Sequence, residues 1–127
     1  MNLLEEMARQ LALSGFGRAA DGEQDGNIYW GHMPDRPDTC VCVYAEDNAL
    51  PGSAAGARVR VVCRSASLRE AYGTAAAIGD KLDGFRGFLG GDGADAAVDA
   101  GTTAVSLGAD EKKRELYATD LRVRYCE

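Results

Sequence analysis

"KRELYATDLRVRYC", Lys113–Cys126, alternates without a break: Tyr117, Thr119, Leu121, Val123 and Tyr125 take one side of an extended chain, and Ala118, Asp120, Arg122 and Arg124 take the other. A mainly apolar side opposed to a charged one marks a strand with one face on a core, so the segment predicts a sheet packed on one side. "ARVRVVCR" (57–64) repeats the pattern, with Val59, Val61 and Cys63 on one face and Arg58, Arg60 and Arg64 mostly on the other. In "TCVCVYA" (39–45), Cys40, Cys42 and Tyr44 alternate with Val41, Val43 and Ala45, as expected of a central strand buried on both faces. "TTAVSLG" (102–108) reads as a further strand joined to the last by "ADEKK", and "IYWGHM" (28–33) as the first.

Two helical patterns interrupt the strands. Over residues 2–14, Leu3, Leu4, Met7, Ala8 and Leu11 gather on one face, with Glu5, Glu6, Arg9 and Gln10 elsewhere and Gly15 as the stop. Ser67 followed by Glu70 is a capping-box spacing, in which hydroxyl and carboxylate satisfy amides at a helix start. The helix that follows presents Leu68, Ala71, Tyr72, Ala75, Ile78 and Leu82 on one face and closes at Asp83-Gly84. Residues 15–27 and 46–56 read as loops, and the glycine-rich 86–101 stretch carries no clear period. The pattern predicts an α+β fold: a mostly antiparallel mixed sheet packed by two helices, in a single domain over residues 1–127.

Composition narrows the function. At 127 residues with 46% hydrophobic and 27% charged residues, the chain has the make-up of a globular domain. A net charge of −6 argues against binding nucleic acid or an anionic membrane, both of which select clustered Lys and Arg. The start has early acids and no long apolar run, so a signal peptide or spanning helix is not expected, and a reducing cytoplasmic setting follows for the thiols.

Candidate chemistry is sparse. Cys40, Cys42 and Cys63 with His32, the only histidine, are the residue types of a metal centre or a thiol nucleophile with its base. The one-residue gap between Cys40 and Cys42 is not a zinc spacing, and buried structural thiols explain them better. Asp92, Asp95 and Asp99 lack the ligand spacing of a calcium loop and read as a solvated acidic loop. No metal, cofactor or catalytic residue is therefore expected. Arg58, Arg60 and Arg64 with Arg122 and Arg124 line a cationic stripe if their strands adjoin, suited to an acidic protein surface. Pro34 and Pro37 lack amide donors and bias their predecessors toward extended backbone, so "GHMPDRPD" (31–38) reads as a joint between strands.

The order of these segments, and above all "MPDRPDTCVCVY", "RVVCRSASLREAYGTAAAIGDKLDG" and "LGADEKKRELYATDLRVRY", resembles the minor-capsid or tail-terminator proteins of long-tailed bacteriophages. The resemblance covers nearly the whole chain. It implies a sheet flanked by helices, a structural rather than enzymatic role, and a ring, hexameric in that family, that caps the tail tube and meets the head connector. Implied partners are further copies of the chain, tail-tube protein and connector proteins, without sequence-specific nucleic acid contact and without a membrane. The implied location is the virion, at the head-tail junction, after assembly in the host cytoplasm. The candidate assembly interface is Arg58, Arg60, Arg64, Arg122 and Arg124 with Asp110 and Glu111, and the 46–56 and 86–101 segments are expected to contact neighbours. A head-completion or neck protein is the nearest alternative, and a small thiol- or metal-dependent enzyme a distant one.

Overall fold

The computed structural model describes residues 3–20, 26–46 and 56–125. Its elements run α1 (Leu3–Leu13), β1 (Ile28–Trp30), β2 (Cys40–Ala45), β3 (Ala57–Ser65), α2 (Leu68–Leu82), β4 (Phe85–Phe88), a 3-10 turn (Leu89–Gly91), β5 (Asp95–Ala100), β6 (Val105–Ala109) and β7 (Glu115–Tyr125). They form a seven-stranded sheet in the order β1-β2-β3-β7-β5-β4, with β6 also on β7. Among the strands of the described residues the β1–β2 pair alone is parallel, and Ala19 adds an isolated parallel bridge to Ile28. The α+β expectation holds.

Alternation decides which face is which. Val41 and Val43 of β2, Val59, Val61 and Cys63 of β3, Leu121 and Val123 of β7 and Val98 of β5 share one core with Met7 and Leu11 of α1 and Ala75, Ile78 and Leu82 of α2. Both helices therefore cover one face of the sheet. Helix α1 touches β1 and β2 on one side and the 3-10 turn beside β4 on the other, so the two ends of the sheet curl toward each other around it as a half-barrel.

Several local expectations change. Glu6 and Gln10, expected off the apolar face of α1, are buried, and their oxygens accept the amides of Ala94 and Gly90 in the turn after β4. Gly93 is required there: a Cβ would run into the Leu89 carbonyl and the Glu6 carboxylate. The 86–101 stretch is not a loop but β4, the turn and β5, whose Ala96 and Val98 enter the core. Ser67 caps α2 by accepting the Glu70 amide at 3.2 Å, while its own amide goes to Ser65 Oγ at 3.1 Å, so the hydroxyl half of the capping box forms. Leu68 and Tyr72, expected in the core, are half exposed. Residues 47–55 of the expected 46–56 loop lie outside the described residues.

β1 stops at Trp30 rather than running to Met33, since Gly31 turns into the left-handed region at φ +80°. The chain must then cross back to start β2 parallel to β1, and it does so over the sheet face opposite the helices. Two buried arginines hold that crossover. Arg64 of β3 donates to the carbonyls of Pro34 (2.7 Å), Pro37 (2.8 Å) and Asp38 (3.1 Å). Arg114, just before β7, donates to the Asp35 carbonyl and carboxylate, to Asp38 Oδ1 at 3.2 Å and to Asp110 Oδ2 at 2.8 Å. On this side Cys40, Cys42 and Val62 are buried, so "GHMPDRPD" is a joint that also roofs half of the outer face.

Two outcomes follow from the clamp. Arg64→Ala leaves three carbonyls short of a donor and is expected to destabilise by about 3 kcal/mol, with thermal unfolding lowered by about 10 °C. The Asp35 carboxyl is held below its ordinary 3.8, first by its bond with Lys112, and Asp110 is held low first by the Arg114 amide. A depressed carboxyl stabilises fully above its ordinary value and loses that contribution as pH falls through the lowered one. Emission from Trp30, the only tryptophan, which sits next to the joint, should therefore be flat from neutral pH to about 4 and change below it. Asp35→Asn, which lacks the carboxylate at every pH, should lower stability at neutral pH and shrink that acid change.

Candidate functional site

The half of the outer face that the joint leaves open carries most of the charged residues singled out in the sequence. Register places Arg58 of β3 opposite Arg122 of β7, and Arg60 opposite Asp120. On the other side of β7, Asp99 of β5 lies opposite Arg122, with Arg124 beside it. These strands border a groove of about 360 Å³ lined by Glu46, Arg58, Asp99, Thr102, Asp120 and Arg122 among others.

The stripe is less cationic than its arginines imply. Arg60 meets Asp120 at 2.9 Å and Glu46 at 3.1 Å, and the Asp120 hydrogen bond is the main reason its guanidinium is held above its ordinary value. Arg124 meets Asp99 at 2.6 Å. Four arginines thus face three carboxylates, a lattice of alternating sign with a small positive excess. Such half-exposed pairs each contribute little to stability, on the order of 1 kcal/mol or less, and exchange partners readily. Among the described residues Arg122 forms no salt bridge, so it is the stripe's available cation.

The remaining candidates sit elsewhere. Arg64 is on the expected face but buried under the crossover, with its donors committed to the three carbonyls. Asp110 shapes the β6–β7 turn, its Oδ1 accepting the amides of Lys112 and Arg114, both at 2.9 Å. Glu111 is exposed on that turn. Sequence reading missed Arg114, for which the spacing of four between Asp110 and Arg114 across a turn was the available signal.

The thiols do not converge. Cys63 shares the helix-side core with Val41, whereas Cys40 and Cys42 lie opposite Arg64 and Val62 and point to the other face, so the strand itself separates them. Burial pushes all three thiols up, Cys63 to about 12, which leaves them protonated and poorly nucleophilic near neutral pH. Asp92 approaches Arg9 at 3.9 Å and Asp99 is taken by Arg124, so the acidic residues of 92–99 are spread over the end of a turn and a strand.

The open outer face, then, presents paired charges rather than a nucleophile with its base, which is the equipment of an interface. No curated protein matches the chain. A family model described as bacteriophage tail terminator protein matches residues 12–126, from the last turn of α1 past the end of β7, and the chain belongs to that family.

Proposed function

We propose that the chain acts as one tail-terminator-like domain that assembles into a ring, stops polymerisation of the tail tube and joins the finished tail to the head connector. The family match over residues 12–126 carries this reading. The work is done by surfaces: a charge lattice that re-pairs on contact, and an overall charge of −6 that keeps free subunits apart until a partner is present. Arg58, Arg60, Arg122 and Arg124 are the residues of that lattice assigned to a neighbouring acidic surface, with Arg122 the first to engage.

Tube protein polymerised with the chain present should give short tubes with one closed end in electron micrographs, and without it, tubes of uncontrolled length. Phage lacking the gene should likewise make over-long tails, whereas tails of normal length left unattached to heads would place the protein in the neck. Arg58→Glu with Arg122→Glu should leave the thermal midpoint within a few degrees of wild type yet reduce tube capping at least tenfold; undiminished capping would remove the outer face from the interface. Since the reading assigns no chemistry to the thiols, Cys40, Cys42 and Cys63 should resist iodoacetamide at pH 8 until the protein is unfolded, as read by mass mapping.

A further inference from the structure

The border of a sheet is a row of amide and carbonyl groups that something must pair with, and folded chains guard such borders with charge, proline or a covering segment. Among the described residues this sheet has three. The β1 border is closed from within: Ala20 donates to the Ile28 carbonyl at 2.8 Å and Ile28 to the Arg18 carbonyl at 3.1 Å, so residues 18–20 lie along it. The other two are open among the described residues. β6 is paired only with β7, and β4 only with β5.

Those two open borders are alike in length and unlike in place. β3 takes one whole side of β7, so β5 and β6 share the other, β6 beside Glu115–Ala118 and β5 beside Leu121–Tyr125. β4 lies outside β5, with Phe88 opposite Asp95, just beyond the level of Tyr125. The two borders therefore sit at opposite ends of β7, about 30 Å apart at the rise of an extended chain. Each also exposes large apolar side chains: Val105 (42%) and Leu107 (46%) on β6, and Phe88 (60%) on β4.

β6, Val-Ser-Leu-Gly-Ala, has neither a charge nor a proline to repel a second strand; its one irregularity is the register shift at Leu107, which leaves that side chain outside the pairing with β7. β4 carries the exposed Arg86, so two β4 borders brought together would set like charges against each other, while β4 against the neutral β6 meets no such repulsion. Beside β6 the surface stays apolar, since the Tyr72 ring packs edge-on against Tyr117 at 5.6 Å and Tyr117 lies opposite Ser106.

We infer that the open border of β6 in one copy pairs with the open border of β4 in the next, joining copies head to tail by strand addition. Two different surfaces at opposite ends of one sheet make a heterologous contact, the kind that closes into a ring when the rotation permits. The inference rests on the ring reading and names the surfaces that form it.

The test uses the full chain in a Cys126→Ser background, with Phe88→Cys, Leu107→Cys or both, treated with a short bismaleimide cross-linker under conditions that leave the three buried thiols unreactive. The double variant should give a ladder of covalent oligomers ending at the ring size, an equimolar mixture of the single variants should give dimers, and each single variant alone should stay monomeric. Leu107→Lys, shown folded by circular dichroism, should lower self-association at least tenfold in native mass spectra. A ladder that stops at dimer, or cross-linking of Leu107→Cys alone, would overturn the head-to-tail arrangement. If the wild type forms a closed oligomer while the double variant does not cross-link and Leu107→Lys assembles normally, the strand borders are excluded and the ring stands. Should the wild type remain monomeric both alone and with tail-tube protein, the ring reading falls and this contact with it.

Discussion

Strand β7 is hydrogen-bonded to β3 along one side and divides its other side between β5 and β6. That division sets much of what the molecule presents. Because β5 occupies only the second half, β6 can pair beside the first half, and the sheet ends in a step rather than a straight border. Because β7 lies between β3 and β5, the arginines of β3 and β7 come to one face with the acids of β7 and β5, and the charge lattice exists only in that register. A slip of one residue would carry Leu121 and Val123 out of the core and send Arg122 and Arg124 into it, so core packing and surface charge are fixed by the same alternation.

The joint between β1 and β2 is the second constraint. Adjacent parallel strands need a crossover, commonly a helix, and here an irregular segment takes that place. Irregular backbone over a sheet has carbonyls that no ladder satisfies, and Arg64 and Arg114 supply the donors. Their charges are balanced unequally: Arg114 has Asp35, Asp38 and Asp110 within salt-bridge distance, whereas Arg64 is neutralised by no carboxylate among the described residues and donates to carbonyls alone. Removing a buried guanidinium of this kind leaves polar groups stranded, which is why a small set of residues controls whether half of the outer face is roofed.

Much of this was legible in the sequence where one face of an element is apolar. β2, β3 and β7 announce themselves through β-branched alternation, and α1 and α2 through apolar residues at three and four. β5 was hidden because its inward residues, Ala96 and Ala100, are small and weak strand formers flanked by glycine turns, although Val98 sits between them at the right period. The burial of Glu6 and Gln10 depends on a turn some 80 residues away and has no local signal. Tyr72 and Leu68 misled in the other direction, since their helical spacing is that of a core face, yet both are half exposed, Tyr72 with its ring edge-on to Tyr117 of β7. Of the proposed interface, the sequence placed Arg58, Arg60, Arg122 and Arg124 on one strand face, but only the register reveals that acids interleave them and that Arg64 belongs to the joint.

Hydrogen exchange read by mass spectrometry, on the free protein and on the protein bound at tail ends, tests most directly the claim that this domain works through its open sheet borders and outer face. Exchange is expected to slow on binding over 85–88, 105–109 and the 57–60 and 120–124 segments, with α1 and the clamped joint unchanged. Protection confined to α1 or the joint, or no difference between the two states, would contradict it.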